Sequence, residues 1–486
     1  MGARLRAVPL MLAVFAAALA AGCATSPGAG DAAARRARLE ALRHTPAAEA
    51  YENCKDSVVN IGIKRRDPNK PGNDITEFGS GVVLTETGYI LTNAHAFRRG
   101  GSCAAGFHKG KEYPGKLVAI DEQRDLAVVK IKPEGPLKPM KLGCSGDLIV
   151  GEQIVTMGNP FGMGLTMTYG IVSALARSTK SEYTFYPEMV QTSASINPGS
   201  SGGPLINVFG ECVGLNSTER MGANDIAFAI PIDRIREALP DVLSPEGRFG
   251  FVLGVTLDPD GPARVKEVAK GSPAEAAGVR PGDLIFRAGQ APVAGPVDFY
   301  LALMDFRGGQ TLPLAVLRDR RSTDVAVALA KIEPRAPDTV VGPAPGLMCD
   351  FYEGDWHALP DFASLKPAAT AKVENFDLAK YKGRDFFALR FTGYLEVPAD
   401  GIYAFYLTSD DGSRLYVGDR LVVDNDGAHA AATKRGFIPL KAGKHAITVA
   451  YFDRTETEEL KVAWEGPGVK KGPIPASALF VRGAGQ

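Results

Sequence analysis

The chain has 486 residues, with 55 Lys and Arg balanced by 55 Asp and Glu, so its formal net charge at neutral pH is zero. This length predicts about three domains, and the 45% hydrophobic and 23% charged residues are typical of globular protein. The neutral balance provides no basic surface for phosphate backbones and argues against nucleic acid as the main partner.

The N-terminus has the pattern of an export signal. Arg4 and Arg6 precede an apolar run over residues 7–21, which is shorter than the ~20 apolar residues that a spanning helix needs. Residues 1–22 are therefore predicted to be a signal peptide. Residues 20–23 resemble a bacterial lipobox, which implies lipidation of Cys23 and a membrane anchor; the alternative is an ordinary cleavable signal with Cys23 in a loose tail. Residues 23–50 are predicted to be a tether with one short helix around 33–42.

Residues 51–244 have the pattern of a β-rich domain. Short apolar runs separated by Gly, Asn and Pro continue to about residue 231, which favours barrels or a sandwich. Residues 233–239 are predicted to form a closing helix.

Three residues of this domain predict nucleophilic catalysis. Ser201 lies in a glycine-rich turn, His95 follows a predicted strand, and Asp125 precedes another. The chain order His, Asp, Ser is that of chymotrypsin-type hydrolases. His95 is expected to act as the base for Ser201, Asp125 to orient the imidazole, and the N–H groups of Gly199 and Ser201 to bind the oxyanion.

The segment 199–203 also matches the nucleophile elbow of α/β-hydrolases. That elbow requires a helix after the serine and a histidine downstream. Residues 204–206 instead continue as a strand, and the later histidines all lie in the third domain. The elbow interpretation is therefore rejected.

Several motifs of this domain together resemble the HtrA/DegP family of serine proteases. They lie at residues 79–83, 89–95, 125–128, 158–162, 170–174, 191–192 and 228–231. The resemblance implies a double β-barrel, a homotrimer, and cleavage of unfolded envelope proteins in the bacterial periplasm without a cofactor. It further implies that Gly199, Ser200 and Ser201 form the oxyanion loop, and that Ile196 lines a pocket for small aliphatic residues. Ser200 and Ala96 depart from the family, which usually has asparagine and valine there.

The spacing of the cysteines does not indicate a metal site. Five follow Cys23, none in a Cys-x-x-Cys pair or a His/Cys cluster, so a zinc site is not expected. In an oxidising compartment some could pair, and Cys54 with Cys103 is the expected pair.

Residues 245–333 resemble a PDZ domain. Such domains bind an extended peptide as an added strand, and the N–H groups around Val252, Leu253, Gly254 and Val255 are expected to receive its C-terminal carboxylate. The alternative is a domain that only packs against the protease. The proline-rich residues 334–345 are predicted to be a linker.

Residues 346–486 resemble the protective-antigen-type (PA-fourteen-like) β-sandwich. Some members hold Ca²⁺ with paired aspartates and bind glycans, which would give Asp410 and Asp411 that role. The same Asp-Asp-Gly sequence is also an ordinary hairpin turn.

The sequence thus predicts a mainly β, multidomain protein: a chymotrypsin-like double β-barrel, an α+β PDZ domain and a β-sandwich. It predicts an exported serine endopeptidase acting on unfolded polypeptides, with C-terminal peptides at the PDZ domain and glycan at the sandwich. The alternative is a catalytically silent envelope scaffold.

Overall fold

The computed structural model describes residues 29–66, 74–108, 110–180, 185–219, 225–259, 261–455 and 458–483. The predicted signal peptide and Cys23 lie outside these residues. Across the described ranges, no helix combines the length and apolar character needed to span a membrane.

Two helices precede the first strand, where the sequence predicted a tether with one short helix. They are α1 (Ala29–Arg43) and α2 (Pro46–Cys54). The hydroxyl of Thr45 accepts the N–H of Ala48 at 3.2 Å and caps α2, and Pro46 fits the first helical position because it needs no N–H acceptor.

The protease domain consists of two closed six-stranded barrels. The strands of the first barrel are β1 (Val58–Arg66), β2 (Asp74–Val83), β3 (Tyr89–Thr92), β4 (Ser102–Gly106), β5 (Glu112–Asp121) and β6 (Leu126–Lys130). Those of the second barrel are β7 (Gln153–Gly158), β8 (Thr166–Lys180), β9 (Phe185–Thr192), β10 (Pro204–Asn207), β11 (Cys212–Glu219) and β12 (Ala227–Pro231). The first barrel has the strand order β1-β2-β3-β6-β5-β4, and the second has the order β10-β11-β12-β9-β8-β7. Short 3-10 helices lie at Lys55–Ser57, Ala94–Phe97 and Pro160–Gly162.

Helix α3 (Ile232–Leu243) closes the domain and is longer than the predicted 233–239. Its residues Ile235, Leu239 and Val242 recur at helical spacing and are fully buried. They share one core with the helix Pro296–Leu303 of the next domain, so the two domains pack directly together.

A five-residue helix, α4 (Pro245–Phe249), joins the protease to the PDZ domain. The PDZ elements are β13 (Phe251–Val252), β14 (Val255–Leu257), β15 (Val265–Val268), α5 (Pro273–Ala276), β16 (Leu284–Ala288), β17 (Ala291–Pro292), α6 (Pro296–Leu303), β18 (Thr311–Arg318), β19 (Arg321–Ala328) and β20 (Ala330–Lys331). Strands β17-β16-β18-β19 form a four-stranded sheet, and β13-β20 and β14-β15 form two-stranded ones.

The C-terminal domain is a sandwich of an eight-stranded and a four-stranded sheet. Its large core side chains, such as Phe391, Phe405 and Tyr451, are fully buried. The eight-stranded sheet contains β21 (Pro343–Pro345), β22 (Leu347–Glu353), β23 (Ala369–Val373), β24 (Phe387–Val397), β26 (Ser413–Val417), β27 (Arg420–Asn425), β29 (Gly443–Asp453) and β32 (Leu479–Arg482). The other, in the order β28-β25-β30-β31, contains β25 (Gly401–Asp410), β28 (Ala432–Leu440), β30 (Glu459–Gly466) and β31 (Val469–Pro473). A 3-10 helix lies at Ala476–Ala478.

The segment 334–345, predicted to be a linker, is bonded to this sandwich. The N–H of Arg335 donates to the carbonyl of Pro439 at 2.9 Å, and its side chain approaches His445 Nδ1 at 2.9 Å. Strand β21 pairs with β32. Despite its prolines, the segment is therefore not a flexible linker, because its other backbone and side-chain groups form hydrogen bonds with the sandwich.

The expected Cys54–Cys103 disulfide is wrong. Both thiols are free, as are the other three in the described ranges. Cys54 ends α2 and donates to the carbonyl of Gly210 in the second barrel at 3.3 Å, whereas Cys103 lies on β4 in the core of the first barrel. Burial raises the pKa of Cys54 to about 11.

Candidate active site

His95 and Asp125 are brought together by neighbouring strands. Strand β3 pairs with β6 so that Thr92 lies opposite Ala127, which places the residues after β3 beside the turn before β6. The Nδ1 atom of His95 lies 2.9 Å and 3.0 Å from the two carboxylate oxygens of Asp125. The His95 backbone N–H also donates to the same carboxylate at 2.8 Å.

The Asp125 carboxylate is completely buried and receives two further hydrogen bonds from the second barrel. The hydroxyl of Tyr186 on β9 donates to Oδ2 at 2.9 Å, and that of Ser217 on β11 does so at 3.1 Å. A buried carboxylate is costly unless its oxygens are hydrogen-bonded. These hydroxyls therefore hold the charge in place and fix the carboxylate orientation.

Ser201 lies between β9 and β10, in the loop that faces the first barrel. Its hydroxyl donates to the carbonyl of Ser217 at 2.8 Å, and within the described ranges no hydrogen bond joins it to His95. The hydroxyl must therefore turn away from this carbonyl before it can donate to the imidazole. Such a rotation is common between resting and substrate-bound sites.

The loop before Ser201 presents two free backbone donors. The N–H groups of Gly199 and Ser201 have no acceptor among the described residues, whereas the N–H of Ser200 donates to the carbonyl of Asn197 at 2.8 Å. Gly199 has φ +98°, and a Cβ there would lie 2.4 Å from the carbonyl oxygen of Asn159. Only glycine fits this conformation and this spacing, so the local sequence sets the direction of the donors.

Ser80 of the first barrel binds this loop at two points. Its hydroxyl donates to the carbonyl of Gly199 at 2.8 Å, and its backbone N–H donates to the carbonyl of Ser201 at 2.8 Å. Ser80 is fully buried. The arrangement fixes the loop between the two barrels.

Four site residues escaped the sequence analysis for a common reason. Tyr186, Ser217, Ser80 and Asn93 act through single contacts made by the barrel topology; the Asn93 side chain donates to the carbonyl of Asp125 at 3.1 Å. Ser80 and Asn93 lie within the motifs at 79–83 and 89–95, but the sequence assigns neither of them a role, and Tyr186 and Ser217 lie outside the motifs. Only the pairing of strands shows that they converge.

Ile196 is 2% exposed and lies two residues before Pro198 in the same loop. Its role in a specificity pocket stays a prediction.

In the PDZ domain, residues 252–255 run from the last residue of β13 to the first residue of β14. Neither Leu253 nor Gly254 donates its N–H to a backbone carbonyl of the described chain.

The two predicted calcium ligands accept hydrogen bonds from backbone N–H groups. Asp411 accepts the backbone N–H groups of His429 at 3.0 Å and Arg454 at 2.9 Å, and Asp410 accepts that of Ala431 at 3.1 Å. Among the described residues, no three His, Cys, Asp or Glu side chains are grouped as metal ligands. Ca²⁺ takes six to eight oxygen ligands, which include backbone and amide carbonyls, so the calcium role of Asp410 and Asp411 stays a prediction.

Three family models match the chain. They are a trypsin-like peptidase domain over residues 79–215, a PDZ domain over 252–329 and a PA14 domain over 343–478. The match positions agree with the barrels, the α+β domain and the sandwich described above.

Similar curated proteins are serine proteases by name. HhoA of Synechocystis sp. is 34% identical over 52% of this chain and 71% of its own length. A DegP-like periplasmic serine endoprotease of Chlamydia trachomatis is 32% identical over 55% and 56%, and serine protease HTR4 of Rattus norvegicus is 33% identical over 59% and 65%. The chain thus spans less than two thirds of the latter two. The solved structure of the HtrA-type protease AlgW with a decapeptide is 27% identical over 60% of this chain and 99% of that chain, with a TM-score of 0.37.

Proposed function

Because this chain belongs to the HtrA/DegP family of serine proteases, we propose that it cleaves unfolded polypeptides in the bacterial periplasm with His95, Asp125 and Ser201. One observation carries this proposal: a fully buried carboxylate holds the Nδ1 atom of a half-buried histidine at 2.9 Å, beside a serine in a glycine-rich loop. The names of relatives support the compartment.

The geometry supports acyl transfer. With Nδ1–H donated to Asp125, the Nε2 atom of His95 is free to accept the Ser201 proton as Oγ attacks the scissile carbonyl. The carbonyl oxygen, now negative, receives the N–H groups of Gly199 and Ser201. His95 then gives its proton to the leaving amine, and water hydrolyses the acyl-enzyme by the same steps in reverse.

Substrate choice is assigned to two places. Ile196 lines the primary pocket and favours small aliphatic residues such as valine. Residues Val252, Leu253, Gly254 and Val255 receive the C-terminal carboxylate of a peptide, which adds as a strand beside β14. Among the described residues, the N–H groups of Leu253 and Gly254 donate to no backbone carbonyl, and this supports the binding mode.

The remaining parts of the chain serve location and assembly. Residues 1–22 direct export, Cys23 carries the lipid anchor, and the family resemblance supports a homotrimer. The sandwich docks the protein on glycan, and a groove of ≈ 460 Å³ with Arg390, Arg414 and Tyr416 in its wall is the supporting feature.

The decisive experiment is hydrolysis of unfolded β-casein by the mature protein and by Ser201→Ala. The control is Ser195→Ala, which removes an exposed hydroxyl from the same loop. We expect cleavage by the wild type and the control but not by Ser201→Ala. Cleavage by all three would show that Ser201 is not the nucleophile. Cleavage by none, even with a C-terminal peptide added, would favour the scaffold.

A further inference from the structure

Asp125 is the last residue of the turn 122–125, which joins β5 to β6. The carboxylate of Asp121 accepts the backbone N–H groups of Gln123 at 3.0 Å and of Arg124 at 2.9 Å within this turn. Asp125 itself has φ +56°, a left-handed conformation that is strained for a residue other than glycine and persists only where the surroundings fix it. The position of the Asp125 carboxylate therefore depends on how the turn is held.

The sandwich contacts this turn at two side chains. The backbone N–H of Thr433, on β28 at one edge of the four-stranded sheet, donates to Oε1 of Gln123 at 3.1 Å. On β31, at the opposite edge of that sheet, Nζ of Lys471 lies 3.4 Å from a carboxylate oxygen of Glu122. The four-stranded sheet therefore lies against the turn that carries Asp125.

Arg435, also on β28, joins the base of the turn to the end of α3. Its Nη1 atom donates to the carbonyl of Ile120 on β5 at 3.4 Å. Its Nη2 atom donates to the carbonyls of Asp241 at 2.9 Å and Val242 at 3.0 Å, in the last turn of α3. The last four carbonyls of a helix have no intrahelical donor, and a guanidinium can bond several acceptors at once. One half-buried side chain of the sandwich thus links two elements of the protease.

Arg124 links the turn to α3 from within the protease. Its Nη1 atom donates to the carboxylates of Asp121 at 2.6 Å and Asp241 at 2.8 Å. Arg124 is exposed, and exposed ion pairs contribute little to stability. The bonds of the half-buried Arg435 are therefore the stronger part of the connection between the turn and α3.

Packing against an aromatic ring fixes the Arg435 side chain. Its guanidinium lies 5.0 Å from the ring centre of Phe437, two positions along the same face of β28. The guanidinium of Arg248 in α4 lies 5.2 Å from the centre of the same ring, and a Cβ added to Gly247 would lie 2.8 Å from that ring. Both cations are within the range of a cation–π contact. The direction of Arg435 toward the protease is thus set by the sandwich and α4 together.

We propose that Arg435 is a positioning residue of the active site, which holds the turn 122–125 so that Asp125 faces His95. This inference rests on the proposed proteolytic function. Asp125 lies 2.9 Å from Nδ1 of His95, and a displacement of about 1 Å in such a site can lower the rate by about 100-fold. The sandwich therefore acts on catalysis through the residue that orients the base.

The test is steady-state hydrolysis, by the full mature chain, of a peptide with valine before the scissile bond. Arg435→Ala removes the link between Ile120 and α3. We expect it to lower kcat by about tenfold and to leave KM unchanged, because the change acts on Asp125 and not on the bound substrate. Arg435→Lys keeps the charge but loses the planar fork of donors, so its kcat should lie between. Lys434→Ala, the matched control, removes an exposed cation that points to the other face of β28 and should change neither constant.

Gln123→Ala is a second variant that leaves Arg435 in place. It removes the acceptor of the Thr433 N–H from an exposed position, and we expect a smaller fall in kcat, again at constant KM. Thermal unfolding of each variant checks that it is folded, and Gln123→Ala retains the test if Arg435→Ala is not. Hydrogen exchange gives a local readout, since the amides of Gln123 and Arg124 should exchange faster in Arg435→Ala than in the wild type or Lys434→Ala.

The outcomes separate this inference from the proposed function. If Ser201→Ala is inactive but the wild type, Arg435→Ala and Gln123→Ala have equal kcat, the inference is wrong and the proteolytic function stands. A rise in KM at constant kcat in Arg435→Ala would also overturn the inference, because it would place the effect on substrate binding. If the wild type and Ser201→Ala cleave equally well, both proposals are wrong.

Discussion

Tyr186 offers the sharpest test of how the site is held. It is 5% exposed, and its hydroxyl donates to Asp125 at 2.9 Å. Tyr186→Phe removes this hydroxyl and keeps the ring, so packing in the second barrel is preserved. The fully buried carboxylate of Asp125 then loses one of its hydrogen-bond donors.

The expected size of the effect follows from the other donors. A hydrogen bond to a charged group contributes about 1.5–3 kcal/mol, and Asp125 keeps Ser217 and both N–H groups of His95. We therefore expect the lower end, about 1.5–2 kcal/mol, which corresponds to roughly a 10- to 30-fold fall in kcat. KM should not change, since Tyr186 supports Asp125 and not the substrate.

The assay is steady-state hydrolysis of a peptide with valine before the scissile bond, at a temperature where both proteins are folded. Tyr169→Phe is the matched control, because Tyr169 lies in the same barrel with 51% of its surface exposed. An unchanged kcat in Tyr186→Phe would refute the argument that this hydroxyl positions Asp125. A rise in KM alone would point to a substrate contact instead.

Two further predictions concern stability. Arg318→Ala should lower the free energy of unfolding of the PDZ domain by about 3–5 kcal/mol in urea. The guanidinium of Arg318 bonds both carboxylate oxygens of Asp283 at 2.6 Å. Because Asp283 is only 1% exposed, the substitution leaves a buried carboxylate without its charged partner. Arg287→Ala, which breaks an exposed pair, should cost less than about 1 kcal/mol, and equal losses would contradict the argument. In the sandwich, burial raises the pKa of Asp453 to about 7 despite the hydrogen bond from Tyr451. The folded state therefore binds the proton more tightly, and stability should fall as pH rises from about 4 to about 7, by up to about 4 kcal/mol. Asp453→Asn should remove this slope in thermal unfolding between pH 4 and 8, and an unchanged slope would show that another group causes it.

The sequence predicted the parts of the site that are local in the chain. His95, Asp125 and Ser201 each lie in a short motif beside a strand, and strand pairing then brings His95 and Asp125 together. Glycines around Ser201 predicted an irregular loop, although the N–H of Ser200 turned out to be used within it. These features depend on neighbours within a few residues.

What the sequence did not predict depends on contacts between distant residues. Tyr186 donates a hydrogen bond to Asp125, which lies 61 residues away in the chain. Arg435 donates to the carbonyl of Val242, which lies 193 residues away in the chain. The error over Cys54 has the same origin, since α2 carries that thiol to the second barrel. The three domain types were recognised from motifs that resemble known families together with their strand patterns, but the contacts between the domains have no local pattern.

The contact between Arg435 and Ile120 spans 315 residues of the chain. Since a chain is synthesised from its N-terminus and domains fold in that order, the barrels and the PDZ domain are complete before β28 exists. Docking of the sandwich is therefore the last step of maturation, and until then α4 has no contact with Phe437. A newly made molecule thus passes through a stage in which α4 is held by the protease and the PDZ domain, for example through the contact of Arg307 with the ring of Phe249, but not by the sandwich. A truncated protein that ends before residue 435 lacks both Arg435 and Phe437 and therefore remains in that stage.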